Sequence, residues 1–74
     1  MLKKVSMKET EIILKNGGKV ERNACGQYLV KEKYTRENHP EWFIACKESF
    51  TETYVTIGYI QYACYKKVLE KLRA

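Results

Sequence analysis

The segment Ser49–Ala74, SFTETYVTIGYIQYACYKKVLEKLRA, sets the tightest limit on what this chain can fold into. It holds four of the six tyrosines in a 74-residue protein. Laid out at about 3.6 residues per turn, it puts Phe50, Tyr54, Ile57, Cys64, Tyr65, Val68 and Leu72 on one face. Glu52, Lys66, Lys67, Glu70 and Lys71 fall on the opposite face. Ser49 and Glu52 have the spacing of a capping box, in which each side chain satisfies a backbone N–H left free at a helix start. One reading is therefore a long amphipathic helix against which the rest of the chain packs. A second reading divides the segment. Tyr54, Val55, Thr56, Ile57, Tyr59 and Ile60 favour extended backbone, and Gly58 costs about 1 kcal/mol inside a helix. A strand from Thr53 to Ile57 and a helix from Gly58 would satisfy these. The charge sorting across the whole stretch favours the continuous helix.

Upstream, Ser6 and Glu9 form another capping box, which predicts a helix from about Met7 to Asn16 with Met7, Ile13 and Leu14 inward. Gly17 and Gly18 supply a left-handed stop. The alternative is a hairpin of Glu11–Lys15 and Lys19–Arg22 about Asn16-Gly17. Agreement of cap and stop favours the helix. Lys19–Asn23 reads as a strand, Ala24-Cys25-Gly26 as a turn and Gln27–Tyr34 as a second strand. In that second strand Tyr28, Val30 and Glu32 share one face, and Leu29, Lys31 and Lys33 share the more solvated one. Thr35–Pro40 is a polar loop. Glu41–Lys47, EWFIACK, is apolar at alternating and intervening positions and reads as a central third strand, with Trp42 and Ile44 in the core. Sequential strands with short links pair most simply as an antiparallel meander. The expectation is one α+β domain over residues 1–74: helix, three-stranded antiparallel sheet, long C-terminal helix.

Composition narrows the function classes. No apolar run approaches the ~20 residues of a membrane span, and MLKKVSMKE lacks an apolar signal core, so the expected location is the cytoplasm. Cys25, Cys46 and Cys64 are odd in number and widely spaced, which fits reduced thiols rather than a disulfide framework. With His39 the only histidine, and without local ligand spacing, neither a metal site nor a Cys–His nucleophile is expected. No phosphate-binding glycine loop or catalytic constellation occurs, which implies a non-enzymatic protein without a cofactor. The formal charge is +5. Its excess lies in the first forty residues, in Lys3, Lys4, Lys8, Lys15, Lys19, Arg22, Lys31, Lys33 and Arg36 against five glutamates. Such a balance favours an anionic partner or serves solubility. If nucleic acid is bound, the expected contacts are Lys15, Lys19, Arg22, Lys31 and Lys33, with Tyr28, Tyr34 or Trp42 stacking on bases.

The order helix, three strands, helix resembles the double-stranded RNA-binding domain, whose length is also similar. That family carries a lysine-rich cluster at the start of its second helix. This chain has Ser49-Phe50-Thr51-Glu52-Thr53 there, with Lys66, Lys67 and Lys71 at the far end, so the resemblance implies the topology and not the family's RNA grip. In size, in lack of catalytic residues and in its sheet-and-helix plan the chain is also similar to small inhibitors of phages and mobile elements, such as anti-CRISPR proteins. That resemblance implies a protein that blocks a larger protein or nucleoprotein complex sterically, in the cytoplasm of the host cell.

On the continuous-helix reading, the outward face carries Thr56, Tyr59, Ile60 and Ala63 between charged ends, continuing into Lys66 and Lys67. An uncharged interval on an outward face predicts an apolar patch. We expect that patch to be the interface to a second copy of the chain or to a target protein; the alternative is that the first helix or the N-terminal arm (Leu2, Val5) folds over it.

Overall fold

The computed structural model describes residues 2–45 and 47–74. The described residues form an α+β domain of two α-helices and a four-stranded mixed sheet. Its elements in order are β1 (Lys3–Lys4), α1 (Met7–Lys15), β2 (Lys19–Arg22), β3 (Tyr28–Thr35), a 3-10 turn (Pro40–Phe43), β4 (Glu52–Ile60) and α2 (Tyr62–Arg73). The sheet order is β1-β4-β3-β2. β4 lies antiparallel to β3, β3 antiparallel to β2, and β1 parallel to β4.

The first helix has the ends its sequence specifies. Ser6 Oγ accepts from the Glu9 backbone N–H at 3.1 Å, and the Thr10 hydroxyl donates to the Ser6 carbonyl at 2.8 Å. At the other end Gly17 takes φ +92°. There the Gly18 N–H reaches the Ile13 carbonyl at 2.8 Å and the Gly17 N–H reaches Leu14 at 3.2 Å, the paired bonds of a Schellman stop. The β2–β3 hairpin closes on Asn23, whose Oδ1 accepts from the backbone N–H groups of Cys25 (3.0 Å) and Gln27 (2.9 Å).

Three expectations are corrected. Residues 52–60 are a strand, so the long helix beginning at Ser49 does not exist. Extended backbone runs through Gly58 to Ile60, and the helix starts after Gln61. The β-branched and aromatic run from Thr53 to Ile60 outweighs a charge pattern whose regular part lies entirely within α2. Glu41–Lys47 is not the third strand. Pro40 opens a single 3-10 turn, Phe43 points inward, and Trp42 and Ile44 are exposed. Cys46, the last inward position expected of that strand, lies outside the described residues, as does its place among the reduced thiols; Cys25 and Cys64 are free. Strands β2, β3 and β4 do pair as an antiparallel meander, but its third strand is β4 rather than Glu41–Lys47, and Lys3–Lys4 adds a parallel edge, so the sheet is four-stranded and mixed.

Both helices lie on one face of the sheet. Val5, Ile13, Val30, Ile60 and Val68 form the core, with Leu14, Val20, Tyr28, Ile57, Cys64, Tyr65 and Leu72 packed around them. Gly58 is buried in mid-strand because β1 crosses it closely. A methyl group there would collide with the Lys3 carbonyl oxygen and stand 2.8 Å from Val5 Cγ2. At this point the register steps from Val30↔Gly58 to Lys31↔Thr56, leaving Ile57 as an extra residue in β4. The edge strands are short. β1 covers only Gly58 and Tyr59, and β2 covers only Tyr28–Lys31, so the far halves of β3 and β4 pair with each other alone.

These placements separate two isoleucines that look alike in the sequence. Ile60 is 2% exposed and Ile44 82%. Ile60→Ala is expected to cost about 2–5 kcal/mol, and Ile44→Ala to stay within about 0.5 kcal/mol of the wild type. Chemical denaturation of the two variants checks this ordering.

Candidate functional site

The connection from Arg36 to Thr51 is long for so small a domain, and connections of that length are usually functional or disordered. This one is held at several points. The Arg36 guanidinium donates to the carbonyl oxygens of Phe50 (3.1 Å), Phe43 (3.4 Å) and Lys47, drawing three parts of the loop to one side chain. Its Cζ stands 5.5 Å from the centre of the Phe43 ring, and Phe43 is buried against Phe50 with ring centroids 5.8 Å apart. At the start of the 3-10 turn His39 stacks on Tyr34 (3.6 Å, 13°), and Trp42 meets the same tyrosine edge-on at 5.2 Å. His39 Nδ1 lies 3.2 Å from Glu41 Oε1. The Glu41 carboxyl is held below the ordinary carboxylate range, first by its own backbone N–H and then by His39.

Fixed in this way, the loop turns apolar side chains outward. Trp42 is 51% exposed, Ile44 82% and Phe50 46%. Leaving a side chain of this size in water forfeits about 1.5–3 kcal/mol relative to burying it, a large amount for a small domain with little core.

A second surface is the sheet face turned away from the helices. Alternation and register put Lys4, Tyr59, Leu29 and Glu21 in one row across the strands. Thr56, Lys31 and Lys19 form the next row, Tyr54 and Lys33 the next, and Glu52 and Thr35 the last. Side-chain contacts agree with that assignment. Glu21 bridges Lys19 at 2.6 Å and Lys31 at 3.7 Å, Lys33 pairs with Glu52 at 3.2 Å, and the Lys19 ammonium sits 4.4 Å from the centre of the Tyr54 ring. The hydrogen bond from Lys19, followed by the charges of Lys19 and Lys31, lowers the Glu21 carboxyl below its ordinary range. The same hydrogen bond raises Lys19.

The expected contact residues are distributed unevenly over these surfaces. Lys19, Lys31 and Lys33 come together on the open face. Arg22 does not join them, because it pairs with Tyr28 in the row that faces the helices. Lys15 closes the last turn of α1, 3.8 Å from Glu11. Tyr28 packs against Tyr62 and Tyr65, and Tyr34 is stacked on His39, so neither belongs to the lysine face. Tyr54 and Tyr59 occupy it instead. The patch expected from Thr56, Tyr59, Ile60, Ala63, Lys66 and Lys67 is not one surface. Ile60 is core, Thr56 and Tyr59 lie on the open sheet face, and Ala63, Lys66 and Lys67 are exposed on α2. The set assumed a helical period across a segment that is half strand. The loop surface escaped because Trp42 and Ile44 were placed in a strand. Pro40 beside a polar run was the signal that a turn, not a strand, begins there.

No family model, curated protein or solved structure matches this chain. Among the described residues no helix is long and apolar enough to cross a membrane.

The Glu21 bridge has a pH signature. A carboxyl lowered on folding contributes stability at neutral pH, and the contribution is lost as pH falls from the ordinary carboxylate range through the lowered value of the folded state. Glu21→Gln should therefore lower the melting temperature slightly at neutral pH and flatten its fall between about pH 5 and pH 3. The difference should shrink in high salt, because Glu21 and Lys19 are exposed and Lys31 is only partly buried. Thermal melts of the two proteins across that range check it.

Proposed function

We propose that this protein is a non-enzymatic binding protein, an inhibitor or adaptor that occupies a surface of a larger protein or nucleoprotein complex and blocks it. The observation that supports this reading is the outward display of Trp42 and Ile44 by a loop whose backbone is tied down by Arg36 and Phe43. A tryptophan beside an aliphatic side chain, held before a partner arrives, has the character of an interface hot spot. Ordering is done in advance, so little conformational entropy remains to be lost on docking. The surface would suit a partner with an apolar pocket. The one histidine is engaged with Tyr34 and Glu41 and serves the shape of the turn.

The test pairs stability with binding. Trp42→Ala combined with Ile44→Asp should still fold, with a loss of about 0.5–1.5 kcal/mol that comes mainly from the edge-on contact of Trp42 with Tyr34, since Ile44 is almost wholly in water. Affinity capture from cells of the native host, followed by titration of the captured partner, should show a loss of about 2 kcal/mol or more, some thirtyfold in Kd. A double variant that binds its partner as tightly as the wild type would remove the loop from the interface.

A further inference from the structure

We propose that the open face of the sheet binds single-stranded nucleic acid, with Lys19, Lys31 and Lys33 on the phosphates and Tyr54 and Tyr59 as stacking platforms. This is a different surface from the loop, and the inference does not depend on the loop's role. Its first ground is charge. The face carries Lys4, Lys19, Lys31 and Lys33 against Glu21 and Glu52, an excess of positive charge on the one face that no helix covers. One carboxylate, Glu21, is shared between two ammonium groups.

The second ground is a local cost. Lys19 and Lys31 are directly opposite each other in the β2–β3 register, and like charges in that position destabilise a strand pair. Lys33 adds a third positive charge two residues further along the same face of β3. Glu21, between Lys19 and Lys31, and Glu52, 3.2 Å from Lys33, offset part of this repulsion, and a bound polyanion would offset the rest.

The third ground selects among anions. Lysines alone would suit any polyanion. Here two tyrosines share the face with them: Tyr54, 38% exposed and lying beneath the Lys19 ammonium, and Tyr59, half-buried between Lys4 and Leu29 in the register. Partly exposed tyrosine rings among cations give stacking area to unpaired bases while the ammonium groups follow the backbone, the Lys19 ammonium leaving the Tyr54 ring for a phosphate. Duplex bases are stacked on one another and offer no such faces.

Fluorescence anisotropy with labelled oligo-dT and oligo-U, at low and at moderate salt, tests this on the full chain. The wild type should bind at least one of the two. Lys31→Glu with Lys33→Glu should weaken binding at least tenfold and make the salt slope shallower by about 1.4, the removal of two phosphate contacts at ~0.7 each. Lys31→Gln with Lys33→Gln, which creates no repulsion with Glu21 or Glu52, should show the same direction and decides the matter if the reversal variant does not fold. Tyr54→Ala should weaken binding on the order of tenfold with the slope unchanged. The Trp42→Ala, Ile44→Asp protein should bind the oligonucleotides like the wild type, so that failure of the loop reading and failure of this one give different results. No binding at low salt, unchanged binding after either lysine pair is replaced, or equal binding to polyglutamate would overturn the proposal.

Discussion

The antiparallel pairing of β3 with β4 is the constraint on which the other elements depend. It runs from Tyr28↔Ile60 to Thr35↔Glu52, and each remaining part of the fold is placed against one end or one face of it. β1 and the close crossing at Gly58 lie on one edge, β2 on the other, both helices over Val30 and Ile60, and the Arg36–Thr51 connection at the far end. The bulge at Ile57 makes this pairing compatible with the core. Strict alternation on both sides of Gly58 would turn Ile57 to the open face. The extra residue lets Ile57 and Gly58 both serve the helix side, while Thr56 and Tyr59 remain on the other. A one-residue change of register thus decides which side chains are core and which lie on the open face.

The parts of this arrangement legible in the sequence are those governed by local chemistry. Ser6, Glu9, Gly17 and Gly18 define α1 because caps and left-handed stops act over a few residues. The alternation in β3 is equally local, and it places Lys31 and Lys33 on the solvated face. The remainder was hidden where local preference and long-range pairing disagree. Tyr54–Ile60 carries a strand former's composition beside a helix former's neighbours, and only the partner strand decides between them. Gly58 looks like a defect in a helix until the Lys3 carbonyl is seen to pass over it. Lys3–Lys4 could not be identified as a strand, because two lysines carry no period and pair through a strand more than fifty residues away. The candidate surfaces follow the same division. Lys31 and Lys33 share one face because they lie on a strand whose period is legible, and Lys19 joins them through the β2–β3 register. The expected helical patch dissolves because its period is not legible.

The two surfaces differ in chemistry and in position. By alternation Tyr34 faces opposite to Lys33, so the aromatic cluster that supports Trp42 rises from the helix-bearing side of the sheet, and the lysines and tyrosines of the open face lie on the other side. An apolar contact on one side and a cationic, aromatic contact on the other are compatible with simultaneous use. A nucleoprotein complex would present both kinds of complementary surface to so small a chain.

The shortness of the edge strands has a dynamic consequence. Near Val30 and Gly58 the sheet is four strands wide and roofed by two helices. Beyond Lys31 and Thr56, β3 and β4 have only each other, closed at the end by Arg36 and the Phe43–Phe50 pair. Two-stranded ribbons are marginal in isolation. Opening free energy should therefore decline along the length of the same two strands, with the ribbon and its loop forming a cooperative unit that can open while the helices stay docked. Amide exchange would then be slowest at Val30 and Ile60 and fastest toward Thr35 and Glu52. The display of Trp42 would be governed by the stability of that outer unit rather than by the global stability of the domain.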